Sequence, residues 1–293
     1  MNNVKILFII NPKAGIGNKK HFSTKITQYF TNKSSIKCVY TESESHLKEL
    51  AKEAVRFKIP FIISVGGDGT LNKISDIIKG TESSLGIIPR GSGNGLSHFL
   101  KIPFALSKNI KQIKKAKIRK IDTASINNNH FISVAGVGFD AHVAHLFNQS
   151  KRRGFMKYVL IVIKEYFKYK EHEYTIIADG KKYKKKAFLI SFANSNQFGF
   201  HTVISPHAKI DDGLIDICIF RRPFPIVAAF VWPLIFIKRL HKTKLLRIIQ
   251  AKEIYIQNRK DDLIQVDGEC ITDVSNEIHI KISQENLNLI DYN

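Results

Sequence analysis

Residues 61–73 read FIISVGGDGTLNK. An apolar run of strand length, Phe61–Val65, meets a turn with three glycines and one aspartate, and the helical spacing of Leu71, Ile74 and Ile78 follows. This order of strand, glycine turn and helix is typical of a phosphate-binding turn. It matches neither GxGxxG nor GxxxxGKS/T, so the motif itself provides no lysine for a phosphate.

The rest of the N-terminal half repeats this alternation of strand and helix. Apolar residues at helical spacing predict helices at 21–30, 47–55 and 71–78. Continuous apolar runs predict buried strands at Val4–Ile10, Ile36–Thr41, Phe61–Val65 and Leu85–Pro89. Such alternation implies a parallel sheet with right-handed crossovers.

The pattern changes near residue 122. Short strand-like stretches separated by turns dominate from there on, interrupted by longer helical patterns at about 152–170 and 224–240. We therefore predict an α/β nucleotide-binding domain at 1–122 and a mainly antiparallel β-sandwich domain at 123–293. A return of the extreme C-terminus to the first domain is left open.

The charge balance favours a polyanionic partner. The 46 Lys and Arg residues exceed the 25 Asp and Glu residues, which gives a formal net charge of +21. Nucleic acid and an acidic membrane surface are both candidates. Because no helix-turn-helix, zinc-finger spacing or RNP-like aromatic motif accompanies the charge, no nucleic acid is expected. The basic clusters are 151–153, 181–186, 221–222 and 238–247.

The cysteine pattern predicts a reducing compartment. Cys38, Cys218 and Cys270 lie too far apart in sequence for a disulfide framework or a metal knuckle. The run VKILFII (4–10) is too short for the apolar region of a signal peptide and includes Lys5. A cytoplasmic location is therefore expected.

Three glycine-rich loops are predicted to leave strands at one edge of the parallel sheet: 11–15 (NPKAG), 66–70 (GGDGT) and 89–94 (PRGSGN). Their amides and the helix N-termini that follow can hold phosphate. Asp68 would repel phosphate and is better interpreted as a ligand of Mg²⁺ or of its waters. Thr70 and Ser92 add hydroxyls at helix starts, where capping competes with phosphate contact.

NPKAG, SVGGDGTLNK and IPRGSGNGLSHFL, in this order, resemble the lipid kinase family of diacylglycerol and sphingosine kinases. The second half continues the resemblance with SPHAKIDDGLIDI (205–217) and VDGE (266–269). The resemblance implies ATP and Mg²⁺ as cofactors. It also implies nucleotide contacts at Asn11, Pro12, Lys13, Ala14, Gly15, Thr41, Gly66, Gly67, Asp68, Gly69, Thr70, Leu71, Asn72, Lys73, Ser92, Gly93 and Asn94. Members of this family often have a glutamate at the position of Lys73.

VDGE contains a candidate pair of catalytic carboxylates. In extended backbone, Asp267 and Glu269 would lie on one face of a strand about 7 Å apart. The alternative is an Asp-Gly turn with two solvated acids. The resemblance places the catalytic base in this segment, with Glu269 as the base, Asp267 beside it, and Asp68 as the third catalytic residue.

IDDGLID offers a second acidic site. Asp212 and nearby carbonyls could hold a hard cation, and the alternative is an Asp-Gly hairpin turn. The resemblance implies a structural metal bound by the Asp212 carboxylate and the carbonyls of Lys209 and Leu214. For His142 and His145, no third ligand is identifiable, so partly buried or surface histidines are favoured over a metal site.

The segment 224–247 begins with about fourteen apolar residues and ends in a basic stretch. It is too short to span a membrane, and Pro233 is predicted to break it. Trp232, Phe230 and Phe236 suit an interfacial segment on anionic lipid, and a buried core helix is the alternative.

The resemblance implies an ATP-dependent kinase of a lipid hydroxyl, with diacylglycerol or a sphingoid or related lipid as the acceptor. The acceptor would be presented at a membrane containing anionic lipid, to which the protein binds peripherally. The alternatives are an NAD kinase-like phosphotransferase, which shares GGDGT, and a catalytically silent regulator that binds polyanions. A homodimer is left open.

Overall fold

The computed structural model describes residues 4–15, 21–150, 154–199, 202–257, 263–273 and 275–292. The chain forms two compact units. The first unit consists of Met1–Ile121 and Glu285–Asn293, and the second unit is Asp122–Gln284.

The first unit begins with alternating strands and helices. They are β1 (Ile6–Ile10), α1 (Phe22–Thr27), β2 (Ile36–Tyr40), α2 (Glu44–Arg56), β3 (Phe61–Gly66), α3 (Asp68–Ile78), β4 (Ser84–Pro89), α4 (Gly95–Phe99), α5 (Leu106–Lys115) and β5 (Ile118–Ile121). Strands β1 to β4 pair in parallel in the order β2-β1-β3-β4. The apolar runs of β1, β3 and β4 are almost entirely buried, as expected for a sheet covered on both faces, whereas the edge strand β2 is only partly buried.

The second unit is mainly antiparallel. Its elements are β6 (Ala124–Ile126), β7 (Asn129–Phe131), β8 (Val134–Gly138), α6 (Phe139–Gln149), α7 (Phe155–Tyr166), β9 (His172–Ala178), β10 (Lys181–Ala187), β11 (Leu189–Ala193), β12 (Gln197–Gly199), β13 (Thr202–Val203), β14 (Ile215–Phe220), α8 (Pro225–Phe236), β15 (Leu246–Ala251), β16 (Glu253–Gln257), β17 (Leu263–Val266), β18 (Glu269–Thr272) and β19 (Glu277–Ile282).

Two six-stranded sheets form this second unit, in the orders β10-β9-β16-β19-β6-β7 and β15-β14-β11-β8-β17-β18. One apolar core takes side chains from both sheets, including Ile176 and Ile256 from the first and Ile190 and Ile217 from the second. Two sheets that share a core in this way form a sandwich. The predicted fold class is confirmed for both halves of the chain.

The strand β20 (Leu287–Ile290) belongs to the first unit, although it follows the whole second unit in sequence. It lies between β4, to which it is parallel, and β5, to which it is antiparallel. The Tyr292 hydroxyl accepts a hydrogen bond from the Ile87 N–H at 2.6 Å and donates one to the Ile87 carbonyl at 3.0 Å. These two bonds fix the segment after β20 against β4.

Helix α8 continues through Pro233, so the predicted break at this residue is wrong. A proline has no N–H for the carbonyl four residues earlier, which here is that of Ala229. Both residues are exposed, so water can satisfy this carbonyl, and the helix ends three residues later at Phe236. Across the described ranges, no helix has the length and apolarity needed to cross a membrane.

Candidate active site

The exits of the four parallel strands meet at one edge of the first unit. Asn11 follows β1, and its Nδ2 donates a hydrogen bond of 2.9 Å to the Thr70 hydroxyl in the first turn of α3. The Arg90 N–H, after β4, donates to the Gly66 carbonyl at 2.7 Å. Thr41, after β2, is buried and its N–H donates to the Ile10 carbonyl at 2.8 Å. The fold therefore brings together the predicted positions from all four strands.

Glycines let these loops touch backbone to backbone. A Cβ added to Gly91 would lie 2.4 Å from the Gly67 Cα, and one added to Gly67 would lie 2.9 Å from the Gly91 Cα. A Cβ on Gly15 would lie 2.0 Å from the Arg90 carbonyl oxygen. No side chain larger than hydrogen fits at these contacts without movement. These loops therefore meet through their backbones.

Helix α3 begins at this edge, and no side chain caps its N-terminus. Gly67 is the N-cap and provides no side-chain hydrogen bond. A helix N-terminus carries about half a positive charge, which favours an anion. Asp68 stands in this first turn, where its carboxylate suits a cation bound between the helix and a phosphate. The donor set therefore fits a magnesium-bound phosphate group.

The loop after β4 is closed by Asn94. Its Oδ1 accepts a hydrogen bond from the Gly91 N–H at 2.9 Å, and its Nδ2 donates to the Gly91 carbonyl at 2.7 Å. Asn94 itself has a left-handed backbone, with φ of 49°. Its side chain thus holds the loop in shape, while Ser92 and Gly93 lie at the partly exposed tip.

The remaining residues that were predicted to contact the nucleotide differ in which of their groups could do so. The Lys13 N–H donates to the Asn11 side chain at 2.9 Å, which shapes the loop after β1. The Leu71 side chain is buried, so only its backbone could contribute. Pro12, Ala14, Gly69 and Asn72 lie in the same loops or in the first turns of α3.

Lys73 forms an ion pair with helix α2. Its Nζ lies 3.0 Å from Glu44 Oε2, and Lys48 lies 2.8 Å from the other carboxylate oxygen of Glu44. Hydrogen bonds from Lys48 and Lys73 hold the pKa of Glu44 below its ordinary value. Position 73 of α3 therefore carries a positive charge and not a side chain that binds a metal ion.

Arg90 is a residue that the sequence analysis did not single out. Its guanidinium lies 4.8 Å from the centre of the Phe22 ring, and burial lowers its pKa. Its Nε is buried without a hydrogen-bond partner among the described residues. A half-buried cation at the strand exits, with an unused donor, suits an anionic ligand. The arginine inside PRGSGN was the available signal.

The VDGE segment forms a tight hairpin turn between β17 and β18. Asp267 and Gly268 have φ of 46° and 86°, and Val266 pairs with Glu269 across the turn. Two consecutive left-handed residues are the requirement of a type I′ turn, which Asp-Gly satisfies well. The predicted extended geometry, with both acids on one face of a strand, is therefore wrong. The alternative of an Asp-Gly turn describes the backbone correctly.

The two acids of this turn have different environments. Asp267 is buried, and its carboxylate accepts hydrogen bonds from three consecutive amides. The N–H groups of Ile132, Ser133 and Val134 lie at 2.9, 2.8 and 3.0 Å. Glu269 is exposed at the start of β18. Asp267 thus holds the connection between β7 and β8 against the turn, and Glu269 is accessible to a ligand.

Asp140 lies beneath the turn and was also missed by the sequence analysis, which discussed only the histidines of its segment. It is buried, and burial raises its pKa to about 7, partly offset by hydrogen bonds from the Ala141 N–H, the Ser191 hydroxyl and the Gln265 side chain. The Gln265 Oε1 in turn accepts the Gly268 N–H at 3.0 Å. Asp140 and Gln265 therefore support the hairpin turn that carries Glu269.

The acidic segment before β14 brings carboxylates close to each other. The Asp212 Oδ1 accepts the Leu214 N–H at 3.1 Å, and Asp122 accepts the Gly213 N–H at 2.7 Å. Burial raises the pKa of Asp122, and the charges of Asp212 and Asp211 raise it further. A hard cation would relieve this repulsion, so the oxygen donors fit Mg²⁺. Lys209 is exposed just before them.

The histidines of α6 pair with different neighbours. His142 Nε2 lies 3.1 Å from Glu165 Oε2, and His145 Nε2 lies 2.8 Å from Gln149 Nε2. The part of the chain that the structure describes holds no group of three or more His, Cys, Asp or Glu side chains arranged for a metal. Any metal site here would need backbone carbonyls or a ligand's own oxygens.

Comparison with known families accounts for both units. Residues 5–126 match the model of the diacylglycerol kinase catalytic domain, and residues 133–290 match the YegS C-terminal NAD kinase beta sandwich-like domain. The chain belongs to this lipid kinase family. A diacylglycerol kinase of Staphylococcus aureus is 28% identical over 75% of this chain and 71% of that protein.

Solved structures share the fold. A putative diacylglycerol kinase from Bacillus anthracis superposes with a TM-score of 0.78 at 24% identity, covering 98% of this chain and 96% of that one. An NAD kinase from Archaeoglobus fulgidus, solved in complex with ATP, superposes with a TM-score of 0.54 at 13% identity, covering 97% and 93%. The NAD kinase likeness is thus the more distant one.

The raised pKa of Asp140 predicts a specific pH dependence of stability. Between the ordinary value of 3.8 and about 7, the native state holds a proton on Asp140 that the unfolded chain releases. Stability should therefore fall as pH rises through this window, by at most about 1.4 kcal/mol per pH unit. Asp140→Asn should flatten the loss of denaturation midpoint between pH 5 and pH 8.

The control for this prediction is Asp76→Asn, which changes an exposed carboxyl of α3. Its denaturation midpoints should follow the wild-type pH dependence. Equal pH dependence of the wild type and Asp140→Asn would show that Asp140 is ionised in the native protein over this range.

Proposed function

We propose that the protein is an ATP-dependent lipid kinase, which transfers the γ-phosphate of ATP to a lipid hydroxyl. Membership of the lipid kinase family supports phosphotransfer to a lipid. The observation that carries the proposal is the packed edge of the first unit, where Gly67 and Gly91 touch and α3 begins with Asp68. These features suit a magnesium-bound nucleotide phosphate.

In this proposal the first unit holds the nucleotide. The loop amides and the N-terminus of α3 donate to phosphate oxygens, and Arg90 adds a fixed positive charge at the same edge. Asp68 binds Mg²⁺ directly or through its waters. Mg²⁺, when bound, neutralises charge that develops on the phosphate oxygens during transfer.

The second unit supplies the base. Glu269 accepts the proton of the lipid hydroxyl, the hydroxyl oxygen forms a bond to the γ-phosphorus, and the bond to the leaving oxygen of ADP breaks. Glu269 is the better of the two acids for this role because it is exposed, whereas three amides already use the Asp267 carboxylate. Asp267 is then a positioning residue for the turn.

Glu269→Gln should lower kcat by about 10² to 10⁴ because the amide cannot take up a proton. Affinity for ATP and the denaturation midpoint should stay near the wild-type values, since the side chain is exposed. Glu82→Gln, which changes an exposed carboxylate just before β4, is the control and should leave kcat unchanged. Retention of most of kcat in Glu269→Gln would place the base elsewhere.

The variant Asp267→Asn distinguishes the positioning role of Asp267 from the role of Glu269 as the base. An amide in place of this carboxylate presents an N–H donor to a site that has three N–H donors. Its denaturation midpoint should therefore fall together with kcat, unlike that of Glu269→Gln.

The alternatives are distinguished by a phosphate-transfer screen with labelled ATP. Diacylglycerol, a sphingoid base, ceramide, phosphatidylglycerol and NAD would be offered separately. The proposal expects labelled product from at least one lipid and none from NAD. Transfer to NAD alone would favour an NAD kinase, and no transfer to any acceptor would favour a silent regulator.

We also propose peripheral association with membranes that contain anionic lipid. Helix α8 buries Ala228 and Val231 on one side. Ile226 (77%) and Phe230 (75%) are exposed on its other side, and the N-cap residue Phe224 (80%) is exposed just before the helix. Exposed aromatic side chains beside a basic stretch suit the interface of a bilayer. The basic stretch is Lys238, Arg239, Lys242, Lys244 and Arg247.

The structure indicates which aromatic residues are suitable for a test of the membrane proposal, and Trp232 is not among them. Trp232 is half-buried and packs edge-on against Tyr166, with ring centres 6.2 Å apart. Its replacement would damage the fold of the second unit. Phe224 and Phe230 are the appropriate positions. The basic cluster 151–153 of the sequence lies outside the described residues.

Phe224→Ser with Phe230→Ser should weaken binding to vesicles and lower turnover on lipid presented in vesicles. Each buried aromatic group contributes about 1.5–3 kcal/mol, so a loss of at least tenfold in vesicle affinity is expected. Phe57→Ser, an exposed position of the first unit, is the control. Unchanged vesicle affinity of the double variant, with a wild-type denaturation midpoint, would contradict a membrane role for α8.

A further inference from the structure

A strongly cationic cavity opens at one edge of the second unit, and neither the nucleotide loops nor the hairpin turn uses it. Its volume is about 370 Å³. Apart from Ile219 and Leu245, its lining side chains are all basic: Lys184, Lys185, Lys186, Arg221, Lys244 and Arg247.

Three segments distant in sequence form this cavity. β10, which carries the three consecutive lysines, is an edge strand of one sheet, and β15 is an edge strand of the other. The Arg221 N–H donates to the Leu245 carbonyl at 2.9 Å, which fixes the end of β14 beside the start of β15. The Arg247 guanidinium lies 5.8 Å from the Tyr183 ring centre, so β15 also contacts β10.

These cations have little compensation within the protein. Lys184 Nζ lies 3.3 Å from Glu173 Oε1, and both side chains are largely exposed. For the other five basic side chains, no carboxylate of the described chain lies within 4 Å of the charged nitrogens. Like charges that converge on one cavity repel each other, and a multivalent anion bound among them would remove that cost.

The chemistry of the lining suits phosphate. Guanidinium and ammonium groups together provide the forked and the point-charge donors that bind phosphate oxygens. A volume of about 370 Å³ lies at the lower end of ligand pockets and suits a phosphorylated headgroup. We propose that this cavity binds the phosphate group of an anionic ligand, separately from the nucleotide site.

The surroundings favour a phospholipid headgroup over a free phosphate compound. Leu245, in the wall of the cavity, packs in the same apolar cluster as Val231 of α8. A residue of the cavity wall thus belongs to the cluster on which α8 packs, and Phe224 and Phe230 are exposed at the start of this helix and on its outer side. The lipid source rests on the proposed membrane association, whereas the phosphate site itself does not. Basic residues on edge strands also protect sheets from edge pairing, and this is the competing explanation.

The test compares the wild type with a variant that combines Lys184→Gln, Lys186→Gln and Arg247→Gln. The matched control combines Lys33→Gln, Lys37→Gln and Lys52→Gln, which removes three exposed charges from the first unit. Binding to phosphatidylcholine vesicles with and without phosphatidic acid is measured at low salt. The cavity variant should lose about 10²-fold in affinity for the anionic vesicles, and the control much less.

Inorganic pyrophosphate, titrated calorimetrically without vesicles, distinguishes the two sources of phosphate. The nucleotide loops are the same in the wild type and in the cavity variant. A difference in pyrophosphate binding between these two proteins therefore reports on the cavity. A pyrophosphate site lost in the cavity variant supports the phosphate site and points to a free ligand. Loss confined to anionic vesicles supports the site and points to a lipid headgroup.

Two outcomes would overturn the proposal. Equal losses in the cavity variant and the control would reduce the effect to net charge. Wild-type affinity of the cavity variant for both probes would leave edge protection as the role of these residues. Turnover of the wild type on a lipid acceptor in detergent micelles tests the kinase function separately. Absence of turnover in the wild type would instead contradict the proposed kinase function.

Discussion

The close approach of Gly67 and Gly91 is the constraint on which the first unit's site depends. Because a Cβ on Gly91 would lie 2.4 Å from the Gly67 Cα, the loops after β3 and β4 can meet only through their backbones. This contact leaves amide groups and the start of α3 at the surface of the strand exits. Amide groups and the helix N-terminus can then bind phosphate, so the GGDGT motif needs no P-loop lysine.

A second constraint organises the hairpin turn of the second unit. Asp267 occupies three amides of the connection between β7 and β8, and its own N–H donates to the Val134 carbonyl at 2.9 Å. Burying a carboxylate is costly unless hydrogen bonds compensate it, and here they also fix the turn. Gln265 and the enclosed Asp140 add support from below. The exposed position of Glu269 is a consequence of this arrangement.

Local patterns in the sequence were sufficient for the parallel strands, for helix α2 and for the alternating strands of the sandwich. The periods of their apolar residues are short-range features that burial reinforces. Helix α5 was not predicted, because its buried Ile110 and Ile113 stand among lysines and give a weak pattern. The break at Pro233 was predicted wrongly because the cost of a proline depends on whether water reaches the carbonyl it leaves unpaired.

The candidate site residues likewise divide into those that local sequence patterns indicate and those that depend on residues distant in sequence. The glycine loops were visible because their composition is unusual, and the order of the strands places them at one edge. Arg90 and Asp140 were missed, since their significance comes from burial and from neighbours distant in sequence. Asp267 and Glu269 were singled out as candidates, but the geometry predicted for them is wrong because an Asp-Gly pair can continue a strand or end it. The cationic cavity likewise required the edges of two sheets to come together.

Hydrogen–deuterium exchange of the wild-type protein, with and without saturating Mg²⁺-ATP, tests the central claim most directly. If the nucleotide binds at the packed strand exits, amides in segments 11–15, 66–71 and 90–95 should exchange more slowly with the nucleotide present. Protection confined to residues 122–284, or no protection at saturating nucleotide, would contradict the account.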